Sequence, residues 1–232
     1  MDAGPEPTLL GRLADTLVPA RCPGCGRTGT SLCGSCASTL EQAPDRPAPP
    51  HLDALVGLLR HRGVARRVVL GAKYRNDERL LALLGAALGP LLDHLLDRPP
   101  DRPPGRLPDH PPDHPPDHPT VVTWVPGTPG HRRRRGGDPA ATLARSAAAN
   151  SVHTPIAIQL LRRLDDRAQA GRDRPSRAAG PALTVTTPTG IGGTVVVVDD
   201  VCTTGASLSA AAARLRSAGA ARVLGLVLAI RD

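Results

Sequence analysis

Apolar residues fall along this chain in two patterns, and each predicts a different element. Val195 to Val198 are four consecutive β-branched residues without alternation, the pattern of a short strand buried on both faces of a parallel sheet. Two carboxylates, Asp199 and Asp200, and a small-residue turn follow. An Ala/Leu/Arg run then predicts a helix from about Ser207 to Ser217, with Gly219 as its stop signal. Arg222 to Ile230 reads as a second buried strand, so strand, helix and strand form a parallel α/β unit. Upstream, Val121 to Pro126 predicts a strand running into a turn. Asp138-Pro139 is a helix start for a helix through about Ala149, with Asp as N-cap and Pro in the first turn. Leu80, Leu81, Leu84, Leu88, Leu91, Leu92 and Leu95 mark a helix with a broad apolar face. Leu9, Leu10, Leu13 and Leu17 give a short amphipathic one. Leu183 to Thr187 is an edge-strand candidate. Leu52 to Leu59 and Val64 to Leu70 are short apolar runs that fit strands or helical turns equally, and periodicity does not decide between them.

Length and composition set the organisation. A chain of 232 residues can bury one substantial core and a small appendage. The expected division is residues 1–46, with a helix and four cysteines, and residues 51–232, an α/β domain. Pro44 to Pro50 is the stiff linker between them. Residues 98–119 are a low-complexity insert in which Pro-Asp-His recurs. Its prolines forbid a helix, so His110, His114 and His118 share no face, and a disordered, solvated segment is expected. The net charge of +8 points to anionic partners, but the chain is rich in arginine overall, so clustered arginines carry more information than the total. No apolar run reaches membrane-spanning length. The first residues lack the basic start and long apolar stretch of a signal peptide, so a reducing cytoplasm is expected.

Cys22, Cys25, Cys33 and Cys36 form a C-x2-C-x7-C-x2-C array. Two such knuckles can wrap one tetrahedral zinc ion, a structural Zn2+ that would supply much of the folding free energy of so small a unit. Disulfides fit poorly in a reducing compartment, and a redox pair would not require the second knuckle. Cys202 is then a spare thiol. A neighbouring helix start would make it reactive, whereas the plainer reading is a small, inert loop residue.

The stretch from Asp199 to Ser207 carries the most chemistry. Backbone N–H groups of Thr203 to Ser207 can converge on a phosphate at a helix N-terminus, Thr203, Thr204 and Ser207 add hydroxyls, and Gly205 lets the backbone approach closely. Asp199 and Asp200 repel a phosphate and suit sugar hydroxyls or a magnesium ion instead. Lys73 is the one lysine among many arginines, which suggests either a phosphate contact or chance retention. Arg132, Arg133, Arg134 and Arg135 form either a solvated basic loop or a cover for pyrophosphate or nucleic-acid phosphate.

Val197-Val-Asp-Asp-Val-Cys-Thr-Thr-Gly-Ala-Ser207 resembles the PRPP-binding motif of type I phosphoribosyltransferases. The resemblance implies that Asp199 and Asp200 take the ribose and that Thr203, Thr204, Gly205, Ala206 and Ser207 take the 5′-phosphate. The four-cysteine module, Lys73-Tyr74-Arg75, the Val-Pro strand end, the arginine-rich stretch and the C-terminal loop occur in the order of the ComF family. Leu160-Leu-Arg-Arg-Leu followed by Gln169 and Arg177 is similar as well, although Ala168 and Gly137-Asp138 depart from the family's pattern. The likeness implies a parallel-sheet phosphoribosyltransferase-like domain behind a zinc ribbon. It implies PRPP with Mg2+ as ligand and a link to DNA uptake, with single-stranded DNA and uptake proteins as partners. An active phosphoribosyltransferase and a silent PRPP-responsive regulator remain alternatives, and no residue stands out as a general base.

Overall fold

The computed structural model describes residues 20–75, 77–98, 119–130, 137–164, 180–186 and 190–231. The expected N-terminal helix, the Pro-Asp-His insert and Arg132 to Arg135 lie outside the described residues.

A five-stranded parallel sheet forms the core. Its strands are β1 (Ala54–Arg60), β2 (Val121–Trp124), β3 (Ile156–Ala157), β6 (Thr194–Cys202) and β7 (Arg222–Ile230), in the order β1-β7-β6-β2-β3. A separate antiparallel pair is made by β4 (Leu161–Arg163) and β5 (Leu183–Val185). Among the described residues the helices are α1 (Gly34–Ala37), α2 (Gly63–Arg75), α3 (Glu78–Asp97), α4 (Pro139–Ala149) and α5 (Ala206–Ser217). The ambiguous apolar runs thus resolve as one strand, β1, and one helix, α2. The run at Leu183 pairs with β4 outside the main sheet.

The valine run explains the position of β6. Its neighbours are β7 on one side and β2 on the other, and helices cover both faces, so every side chain of the run must be apolar. Val196 and Val198 join a core layer with α2, α3 and α4. Val195 and Val197 join the opposite layer with α5 and the β4–β5 pair. Residues 41–43 close the free edge of β1: the Arg60 N–H donates to the Glu41 carbonyl at 2.9 Å and the Ala43 N–H to the Leu58 carbonyl at 3.1 Å. An open strand edge is a template for aggregation, and this cover removes part of it.

Helix α3 corrects one expectation. By length and composition it is long and apolar enough to cross a membrane. Here it is a core helix, with Leu80, Leu84, Leu88, Leu92 and Leu95 buried. Gly85 and Gly89 let α4 approach: an added Cβ would lie 2.6 Å from Ser146 Cβ and 2.4 Å from the Asn150 carbonyl oxygen, respectively.

Candidate functional site

The connections of the sheet locate a crevice before any side chain is considered. From β6 the chain passes through α5 on one face to β7, and from β2 through α4 on the other face to β3. The two crossovers leave in opposite directions, so the segments after β2 and β6 diverge above the sheet. Parallel α/β sheets bind ligands at such a switch point, outside the carboxyl ends of the strands.

Strand β6 runs further than its valines. It extends through Cys202, so Asp199 and Asp200 belong to the strand rather than follow it. Alternation therefore sends the two carboxylates to opposite faces. Asp200 lies on the α2 side, where its carboxylate forms an ion pair with the Lys73 ammonium. Lys73 thus sits against a carboxylate, not in an isolated cationic pocket. Asp199 accepts a hydrogen bond from the Asp200 N–H at 2.8 Å. Burial, with the Asp200 charge beside it, pushes the Asp199 carboxyl up to about 8, against the opposing pull of that N–H, Lys73 and Arg163.

Three residues outside the expected set complete the surroundings. Arg163 on β4 donates from Nε to the Pro126 carbonyl at 3.0 Å, which ties the β4–β5 pair to the end of β2. Thr123, fully buried in β2, secures the same connection by accepting from the Leu160 N–H at 3.0 Å. His61 follows β1, and its Nε2 is buried without a hydrogen-bond partner among the described residues. Burial, reinforced by the positive charges of Arg66 and Arg231, holds His61 below its ordinary range. Arg163 is signalled only through the Leu160-Leu-Arg-Arg-Leu resemblance, and His61 hardly at all, since a lone histidine marks nothing locally.

Beyond β6, Thr203 and Thr204 are exposed and Gly205 is buried. Gly205 has φ +81°, a left-handed conformation that favours glycine. The Ala206 N–H donates to Thr204 Oγ1 at 3.3 Å, and the Gly205 carbonyl accepts from the Ser209 N–H at 2.8 Å, which starts α5. Cys202 is buried at the end of β6, and burial raises its thiol pKa, against the reading of a reactive cysteine. After β2, Asp138 precedes α4 as expected but makes no side-chain cap. Its Oδ2 instead accepts from the Gly127 N–H at 3.0 Å, bracing the two ends of the stretch that holds Arg132 to Arg135.

The second candidate is the cysteine array. One sulfur from each of Cys22, Cys25, Cys33 and Cys36 lies within 4.8 Å of every other, with Cys25 and Cys33 Sγ 3.6 Å apart. A tetrahedral ion with metal–sulfur bonds of about 2.3 Å needs sulfurs about 3.8 Å apart, so the set fits a metal ion such as zinc. Burial works against a Cys22 thiolate, yet backbone N–H donors from Cys33, Cys25 and Gly24 bring its pKa down to about 6. Burial, with the neighbouring sulfurs, pushes the Cys36 thiol up to about 12. The module rests on α2: Arg67 Nε donates to the Gly24 carbonyl at 3.0 Å, and Pro23 lies so close to Gly71 that an added Cβ would be 2.4 Å from the proline Cβ.

Comparison with known proteins adds one finding to this geometry. Residues 147–231 match the family model for the phosphoribosyl transferase domain. The matched stretch runs from the end of α4 through β7 and so contains β6, the loop after it and α5. A comparison with curated proteins gives no match.

Proposed function

We propose that this protein binds PRPP at the carboxyl edge of β6. The observation that carries the reading is the succession of two carboxylates, a loop turned at a left-handed glycine and a helix N-terminus, all within a stretch matching a phosphoribosyl transferase domain. In this reading side-chain oxygens of Asp199 and Asp200 accept hydrogen bonds from ribose hydroxyls. The N–H groups of Thr203, Thr204, Gly205, Ala206 and Ser207 receive the 5′-phosphate, helped by the α5 dipole. The diphosphate would lie toward the β2 side, with Arg132 to Arg135 as its candidate partners from the sequence. Magnesium, when bound with PRPP, would offset the charge of the diphosphate. If turnover occurs, a nucleophile bonds to the anomeric carbon as the carbon–oxygen bond to pyrophosphate breaks. The protein's part is then to position the sugar and stabilise the departing charge.

The four-cysteine module supports the finer reading, a ComF-type protein with a structural zinc and a cytoplasmic role in DNA uptake. Trp124 is buried under the Arg145 guanidinium, which leaves Tyr74 as the exposed aromatic. Binding of single-stranded DNA would therefore rest on phosphate contacts rather than on stacking, and would weaken steeply with salt.

Calorimetric titration with PRPP and magnesium tests the main reading. The wild type should give a saturable signal that Asp199→Asn/Asp200→Asn abolishes, with the fold of the variant checked by circular dichroism. Equal signals would refute the site. Release of pyrophosphate with a panel of bases separates a transferase from a silent binder.

A further inference from the structure

The segment joining the cysteine module to β1 does more than span a gap. Ala43, Ala48 and Leu52 pack into the same core layer as α5. The segment is pinned at one end by the Ala43–Leu58 hydrogen bond and at the other by Asp53. The Asp53 carboxylate accepts from the Val223 N–H at 2.7 Å and from the Arg216 guanidinium at 2.5 Å. Between these anchors the segment meets the loop after β6 twice. The Arg46 guanidinium donates a hydrogen bond to the Thr203 carbonyl, and buried Pro49 lies against Gly205, where an added Cβ would be 2.4 Å from the proline Cγ.

These contacts bear on the peptide that must face a phosphate. In a planar trans peptide the C=O and N–H point in opposite directions. A guanidinium that holds the Thr203 carbonyl therefore turns the Thr204 N–H to the other side of the loop. We propose that Arg46 is a positioning residue for PRPP binding: it fixes the Thr203–Thr204 peptide with its N–H toward the 5′-phosphate, while Pro49 backs the turn at Gly205. This rests on the reading of the site given above and adds a residue from outside the matched domain. Arg46 acts through the loop without touching the diphosphate. An arginine suits this task because its planar fork has a defined orientation, whereas a lysine is a point charge.

The test is calorimetry on the full chain with ribose 5-phosphate, pyrophosphate and PRPP, each with magnesium, for wild type, Arg46→Ala and Arg46→Lys. Losing one charge-assisted hydrogen bond that orients a donor should weaken ribose 5-phosphate and PRPP alike, by about tenfold or more in Arg46→Ala. Pyrophosphate binding should be unchanged, and Arg46→Lys should recover only part of the loss. Full recovery by lysine would show a role of charge alone, a fall in pyrophosphate binding would show direct contact, and unchanged affinities would show no role. Each of these overturns the proposal. If the wild type binds none of the three ligands, the PRPP reading itself fails. The positioning claim then stands or falls on hydrogen exchange of the amides at 203–207, which should quicken in Arg46→Ala and would refute the claim if unaltered.

Discussion

Substituting Gly205 by alanine isolates the contact between the linker and the loop. Two terms act. Alanine at φ +81° carries the left-handed penalty, about 1 kcal/mol. Its Cβ would also lie 2.4 Å from Pro49 Cγ and 2.9 Å from Pro49 Cβ, and forcing a buried ring aside costs about 2 kcal/mol on the scale of overpacked cores. The total is about 3 kcal/mol, or about 6–12 °C in Tm for a chain of this size. Gly190 supplies the control, because it has φ +83° but nothing within 4 Å of the added carbon. Gly190→Ala should cost about 1 kcal/mol and about 2–4 °C. The loss of unfolded-chain freedom is common to both and cancels in the comparison. Thermal unfolding by circular dichroism at fixed pH and zinc concentration measures each variant. In a Pro49→Gly background, which removes both crowding carbons, the cost of Gly205→Ala should drop to that of Gly190→Ala, a coupling of about 2 kcal/mol. Equal costs at Gly205 and Gly190, or additive effects in the double variant, would refute the idea that Pro49 backs the loop.

Asp199 gives a pH dependence of definite sign. Its folded-state pKa of about 8 lies above the ordinary 3.8, so between these values the folded chain keeps a proton that the unfolded chain has released. Stability should fall as pH rises through this window, and Asp199→Asn should flatten the decline in Tm between pH 5 and pH 8.5; an identical slope in both proteins would exclude Asp199 as its source. Replacing Lys73 by Met removes the partner of Asp200. This part-exposed pair should contribute no more than about 1 kcal/mol to stability, while PRPP affinity should fall clearly and be restored by Lys73→Arg. An unaltered affinity would make the pair purely structural. Elemental analysis should find one zinc per chain, lost in Cys22→Ser. Stripping it should speed hydrogen exchange in α2, which carries the Arg67 and Gly71 contacts to the module; α2 protection unaffected by zinc would show that the module does not brace that helix.

Much of the fold is legible in the sequence because its signals are local. Four valines in a row can be satisfied only between two covered faces, and Thr203 to Gly205 supply the turn that starts α5. The leucines of α3 repeat at helical spacing, and two C-x2-C knuckles bring four sulfurs together through short loops. What remained open depended on partners far along the chain. The runs that became β1 and α2 have similar apolar content, and only pairing with β7 made the first a strand. Adjacent aspartates show nothing of their separate surroundings in the sequence; continuation of the strand turns them to opposite faces, with Asp200 paired to a lysine 127 residues earlier. The Asp138 carboxylate expected to cap α4 accepts instead from the Gly127 N–H, a partner that only the meeting of β2 and α4 supplies. Arg46 and Thr203, 157 positions apart, carry no mark of each other in the sequence. Periodicity and turn chemistry act over a few residues and so determine elements, whereas charge pairing and close approach require the assembled chain, and in this protein they decide how the loop beside β6 is held.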